Sequence, residues 1–449
     1  MTDEQQVRAL LRRAAELPDD IQPPVARLIT SAKRTRRLRA GGSVLAVIVL
    51  VAAAFVLPPT IRSLLPTGGS GSAGSYAARS PSAARLAHFR WSARTRSPLG
   101  ERTDPLLVWT GRALIELGGT AKGVTQDDGA VFHGSTGRWT PVAPVRANVG
   151  FSDAVDVWTG RQLFVTNGQT AACPGGVLVS RCLPRAGLYD PVRNHWTTTL
   201  LPKPLDGLTL DAAAWTGRDV VIVGANAAHA RFAVAAYTPA TGRWRMITPR
   251  LPRHPPPLAA AMVGTGSRVI LWSLWARNID TKNGGTIRSG IDVFSLGATG
   301  RWSTITGNWP QSRSVDSPVY ASGRILIRPA QIWCGACPHP FGYSPAKLAD
   351  AQTLALTAIP NGPLVTQPPI QPPIWLWTGR AAIAANSGNA TDAAPDGRLT
   401  KLAAYDPRTR HWYALPSPPG RPALGAAPIF AGDRLYVLTQ TGALLSLHR

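Results

Sequence analysis

The chain has 449 residues, is 44% hydrophobic and 16% charged, and carries 48 Lys and Arg against 24 Asp and Glu. That balance excludes a disordered chain, and four cysteines are too few for a disulfide-built scaffold. A net charge of +24 calls for an anionic partner or surface.

Residues 1–39 hold a short amphipathic stretch (Val7, Leu10, Leu11, Ala14, Leu17), a proline-broken middle, and then Lys33, Arg34, Arg36, Arg37 and Arg39. The plain reading is a cytosolic tail in front of a membrane segment. The layout also resembles the small cytosolic stubs of actinobacterial membrane regulators, including anti-sigma factors. That resemblance implies a cytosolic partner for residues 1–39, although the stub lacks the His-x-x-x-Cys-x-x-Cys zinc motif of those proteins.

Residues 40–61 are uncharged and rich in Val, Leu and Ala, with Pro58-Pro59 closing the apolar run. Ala40 to Leu57 is near the lower length limit for a membrane-spanning helix. A cleavable signal peptide is the rival reading, but its basic region would be unusually long and no small-x-small site follows the apolar run directly. The predicted topology is single-pass in the cell membrane, with the basic N-terminal flank in the cytoplasm and the rest outside. Residues 62–87 read as a tether, and its Gly-, Ser- and Ala-rich part, Pro66 to Arg85, spans roughly 25 Å as a random coil.

From residue 88 onward the chain repeats. Trp-Thr-Gly-Arg stands at Trp109–Arg112, Trp158–Arg161, Trp215–Arg218 and Trp377–Arg380, and degraded copies run through Arg268, Arg324 and Arg434. The seven copies begin at 109, 158, 215, 264, 321, 377 and 430. A period near 50 residues predicts a repeat architecture. Apolar runs flank each copy, so each reads as a β-hairpin around a glycine turn. A second hairpin follows, marked by Tyr189-Asp190-Pro191 to Trp196, Tyr237-Thr238-Pro239 to Trp244, and Tyr405-Asp406-Pro407 to Trp412. Phe132 to Trp139 and Phe294 to Trp302 are variants. In the fifth copy Tyr343-Ser344-Pro345 is taken as the turn, with Leu354 in the Trp place.

Four strands per period make one blade of a β-propeller. The seventh copy supplies only three strands, whereas His88-Phe89-Arg90-Trp91 carries an unpartnered Trp before the first hairpin. This N-terminal strand is expected to complete the last blade, giving an all-β ring of seven blades with no open edge. With the Tyr-Asp-Pro and Trp elements and the paired Gly118-Gly119, residues 88–449 resemble a kelch-type propeller. That resemblance implies a fold and not a chemistry. The copper oxidases of this superfamily need a Tyr, His and Cys set that cannot be assembled here. No Gly-x-Ser-x-Gly elbow, phosphate loop or His-Glu-x-x-His occurs either.

Strand direction sorts the remaining candidates by face. The short turns share one face and carry Arg112, Arg161, Arg218, Arg324 and Arg380. These arginines either lie toward anionic membrane lipid or stack on neighbouring Trp rings. The opposite face carries the long loops. At the start of the innermost strands stand Asp104, Asp153 and Asp316, with Asp211 displaced by one. They either converge on a ligand such as a polyol or calcium, or cap their interblade turns. No other cofactor and no further metal site is implied. Cys173 with Cys182, and Cys334 with Cys337, read as two intraloop disulfides suited to an oxidising compartment. Trp333–Cys337 also resembles the thioredoxin motif, and zinc would lack a fourth ligand.

The expected function is a membrane-anchored, extracytoplasmic binding module that takes a protein, glycan or cell-wall ligand through its loop face, with no nucleic acid as partner. The alternatives are a transmembrane regulator whose stub reports binding inward, and a propeller enzyme of oxidase or hydrolase type.

Overall fold

The computed structural model describes residues 80–145, 151, 154–166, 185–226, 231–252, 257, 259–278, 287–297, 299–305, 318–327, 332–333, 341–342, 346–360, 362–363, 374–387 and 398–449. Residues 1–79, including the segment read as a membrane helix, lie outside them. Among the described residues no helix is long and apolar enough to cross a membrane.

The described residues form seven four-stranded antiparallel sheets and two small two-stranded ladders. Blade one is typical: Leu106–Trp109, Ala113–Leu117, Gly129–His133 and Arg138–Pro141 pair in sequence order. Blades two to six repeat this order from inner strands Val155–Trp158, Thr209–Trp215, Ala259–Gly264, Val319–Ala321 and Ile374–Trp377. The seventh sheet is built from Ile429–Ala431, Arg434–Leu438 and Ala443–His448, and its fourth strand is β1, Arg90–Arg96. β1 pairs antiparallel with the C-terminal strand, Arg90 opposite His448 and Trp91 opposite Leu447. The seven-bladed β-propeller and its closure by the N-terminal strand are as the repeat predicts.

The second and third strands of most blades are buried along continuous runs because both sheet faces meet a neighbouring blade. Seven apolar clusters fill the seven seams. Ile115 and Leu117 of blade one meet Leu163 and Val165 of blade two. At the closing seam Leu438 and Leu444 of blade seven meet Leu114 and Phe132 of blade one.

Two details depart from the sequence reading. The segment read as tether up to residue 87 is packed against the ring from Ser80 onward. Its short helix α1, Ala83–Leu86, buries Ala83 and Leu86 among Leu402, Leu415 and Leu447 of the last two blades. In blade five the outer hairpin turns at Asp350, not at Tyr343-Ser344-Pro345. Ala349 faces Leu356, the register that Tyr189 and Trp196 occupy in blade two. Leu356 therefore takes the Trp place, and Leu354 sits in the turn at φ 58°, where Asn194 and Arg410 sit in their own blades.

Candidate functional site

The Trp-Thr-Gly-Arg turn is a stapled hairpin. Thr159 Oγ1 accepts from the Gln162 amide at 2.9 Å and donates to the Gln162 carbonyl at 2.8 Å. Thr110, Thr216 and Thr378 bond the amides of Ala113, Asp219 and Ala381 in the same way. Gly160 has φ 88°, and a Cβ there would meet open space, so the glycine is required by conformation and not by crowding. Gly119 shows the opposite case: a Cβ would come within 2.8 Å of the Thr103 carbonyl oxygen. The paired glycine of blade one is thus a crossing point of two backbones.

With threonine and glycine fixing the turn, the arginine is left over. Arg112, Arg161, Arg218, Arg324 and Arg380 are all exposed, and none forms an ion pair among the described residues. The outer-strand tryptophans stack on their own cross-strand partners: Tyr189 on Trp196 at 5.0 Å, Tyr237 on Trp244 at 4.9 Å and Tyr405 on Trp412 at 5.3 Å between ring centroids.

The carboxylates of the same face are engaged. Asp190 accepts from the Val192 and Arg193 amides and from the Arg193 guanidinium at 2.8 Å. Asp350 accepts from the Thr353 and Gln352 amides, which hold its carboxyl below the usual range. Asp406 accepts from the Arg408 amide, and buried Asp219 holds Thr238 and, at 2.7 Å, Arg245.

Of the four inner-strand aspartates, Asp153 and Asp316 lie outside the described residues. Asp211 accepts from the Ala260 amide of the next blade at 3.1 Å, the cap geometry. Asp104 sits at φ 55° and donates its amide to the Gly425 carbonyl of blade seven at 2.6 Å. Asp104 precedes the innermost strand of blade one, whereas Asp211 lies within that of blade three. Among the described residues no group of three His, Cys, Asp or Glu could hold a metal ion. Cys173, Cys182, Cys334 and Cys337 all lie outside the described residues.

Two buried carboxylates that form no ion pair among the described residues, Asp156 and Glu116, are not singled out by the sequence. Asp156 lies between Val155 and Val157 on the inner strand of blade two, and neither of its oxygens has a partner among the described residues. Burial pushes its pKa up to about 8. Glu116 lies within Ala113–Leu117, accepts from Ser97 Oγ at 2.6 Å through Oε2, and leaves Oε1 without a partner among the described residues. Burial pushes it up to about 7. Nearby, Arg102 ties the exit of β1 to blade one: it donates to the Gly118 carbonyl at 2.9 Å and grips Asp128 with both terminal nitrogens. A lone acid in an otherwise apolar strand was the available signal for both carboxylates.

The loop face carries the longer connections. In blade two, Thr166 and Arg185 bound the gap between the second and third strands, whereas only four residues, Thr159–Gln162, join the first strand to the second. In blade one the equivalent connection rises as a small arm, Thr120–Ala121 paired with Val124–Thr125, with Val124 62% exposed.

No family model matches the chain, and no curated protein matches it. Among solved structures it is similar to one described as "Structure of YjhT", at 15% identity and a TM-score of 0.40, covering 60% of this chain and 87% of that one.

Proposed function

We propose that this chain is a kelch-type propeller held at the outer face of the cell membrane by residues 40–61, and that it binds a protein, glycan or cell-wall ligand through its loop face. The observation that carries the reading is the asymmetry of the ring. On one face every turn is short, and its threonines and aspartates are consumed in holding it. On the other, connections of variable length stand on a rigid scaffold, which is where binding residues concentrate. The apolar run and its basic flank support the anchor. The described carboxylates and histidines do not assemble a nucleophile, a base and its orienting partner, so no reaction is assigned.

The test replaces residues 167–184 and 328–345 of the full-length chain with short Gly/Ser turns. Binding to insoluble cell-wall polymer and to a glycan panel is then compared with that of the parent. Loss of binding with an unchanged melting temperature is expected. Binding that survives both replacements, or a parent chain that binds none of these ligands, would contradict the loop-face reading.

A further inference from the structure

We propose that the face bearing the Trp-Thr-Gly-Arg turns docks flat on anionic phospholipid, which leaves the loop face turned outward. This rests on residues 40–61 being a membrane anchor.

The first ground is distribution. Exposed arginines occupy equivalent turns in five different blades, at Arg112, Arg161, Arg218, Arg324 and Arg380. Charges spread around a ring, and not gathered in one pocket, match a planar partner. A guanidinium presents several fixed donors to phosphate oxygens, so a lipid headgroup is a fitting ligand for each.

The second ground is that arginines outnumber the acids on this face, and three of those acids are already paired with Arg193, Arg245 and Arg434. Asp190, Asp350 and Asp406 cap their own turns, and Asp219 is buried against Thr238 and Arg245. The exposed Asp433 faces Arg434 at 3.4 Å. A capping carboxylate keeps its charge and Arg324 lies opposite Asp350, so the uncancelled charge is chiefly that of Arg112, Arg161, Arg218 and Arg380, which form no ion pair among the described residues.

The third ground is where the chain enters. Buried Ser80 donates its hydroxyl to the Thr378 carbonyl at 2.6 Å, inside the Trp-Thr-Gly-Arg turn of blade six and two residues from Arg380. β1 then begins at Arg90 beside His448, at the same end of the strands. The described chain thus begins at the arginine face. A random coil of the length and composition of residues 62–79 spans roughly 25 Å, a reach that suits an anchor on the arginine side.

The experiment reconstitutes the full chain into bilayer discs of phosphatidylcholine alone or with about one third phosphatidylglycerol. Arginine modification by water-soluble p-hydroxyphenylglyoxal is then read residue by residue by mass spectrometry. Each charge near an anionic surface shifts docking about fivefold, so rates at Arg112, Arg161 and Arg218 should fall about tenfold or more in the anionic discs. They should recover at about 0.5 M salt, because the contact is screened. Arg96, exposed at the opposite end of β1, should react equally in both lipids. In the variant with all five arginines changed to Gln, the neighbouring Arg138 and Arg243 should lose their lipid-dependent protection while the melting temperature holds.

Equal rates at the turn arginines in both lipids would overturn the proposal, as would protection of Arg96 to the same degree. A soluble polyphosphate that shields the turns when the anionic bilayer does not would overturn it in favour of a wall polymer. If the chain enters neither disc, the anchor reading fails. The comparison then passes to preformed anionic vesicles, where protected turn arginines sustain docking and equal rates end it.

Discussion

The indole N–H of Trp196, on the outer strand of blade two, donates to the carbonyl of Ala143, where the chain leaves blade one, at 2.8 Å. The same latch recurs around the ring. Trp91 reaches Pro416 at 2.8 Å, Trp412 reaches Pro360 at 3.2 Å, and Trp302 reaches Ile247. Trp244 makes a side-chain version to Thr199 at 3.1 Å. The repeated Trp of the sequence is therefore a blade-to-blade bond, and its ring also packs on the Tyr of its own hairpin. Trp139, at the closing seam, is the exception: its indole N–H is buried without a partner among the described residues.

This contrast gives the first prediction. Trp196→Phe leaves the Ala143 carbonyl without its donor and is expected to cost about 1–2 kcal/mol. Trp139→Phe removes a similar ring volume but no bond, so its cost should be smaller by about 1 kcal/mol. Paired thermal melts measure the difference, and equal losses would show that the latch contributes nothing.

The turn staple gives the second. Thr159→Ala removes both hydroxyl bonds to Gln162 and should cost about 1 kcal/mol, whereas Thr159→Ser should restore most of it. Gly160→Ala should cost about 1 kcal/mol or more because it forces a Cβ into φ 88°. Denaturant midpoints read each change. A neutral Gly160→Ala would mean that the turn relaxes to another conformation.

The buried acids give the third. Burial raises the folded-state pKa of Asp156 to about 8 and of Glu116 to about 7, above their ordinary values of 3.8 and 4.5. In such a case the folded state holds its protons more tightly than the unfolded one. The favourable contribution is complete below the ordinary carboxylate range and is lost as pH rises through the raised values. The melting temperature of the parent should thus fall between about pH 4 and pH 8, and Asp156→Asn should flatten that fall. Glu116→Gln should do the same in part, keeping an acceptor for Ser97. A pH slope unchanged in both variants would place the titration elsewhere.

Most of the ring was legible because the repeat is written in residues that the backbone demands: glycine at positive φ, threonine as staple, tryptophan as latch. The closure was legible for the same reason, since Trp91 is a latch residue without a hairpin of its own. Blade five misled because Tyr343-Ser344-Pro345 imitates the turn chemistry, whereas Asp350, with no tyrosine or proline beside it, makes the capped turn. Ser80 and α1 were hidden inside a Gly/Ser/Ala-rich stretch, where composition signals a tether and one serine hydroxyl decides otherwise. The candidate site was less legible than the fold. Of the aspartates, Asp211 accepts an amide of the next blade as a cap does, and no spacing rule separates a cap from a ligand. Asp156 and Glu116 required knowledge of which strand faces are buried.

The most direct test of the account is amine labelling of intact cells that express the full chain, with a membrane-impermeant reagent and mass spectrometry. Lys122, on the exposed arm of blade one, and Lys203, exposed between blades two and three, mark the loop face. Lys33 stands in the basic flank before the apolar segment. Strong labelling of Lys122 and Lys203 with Lys33 protected until the cells are lysed is the predicted result. Labelling of all three only after lysis, or of Lys33 on intact cells, would contradict an anchored propeller with its loops turned outward.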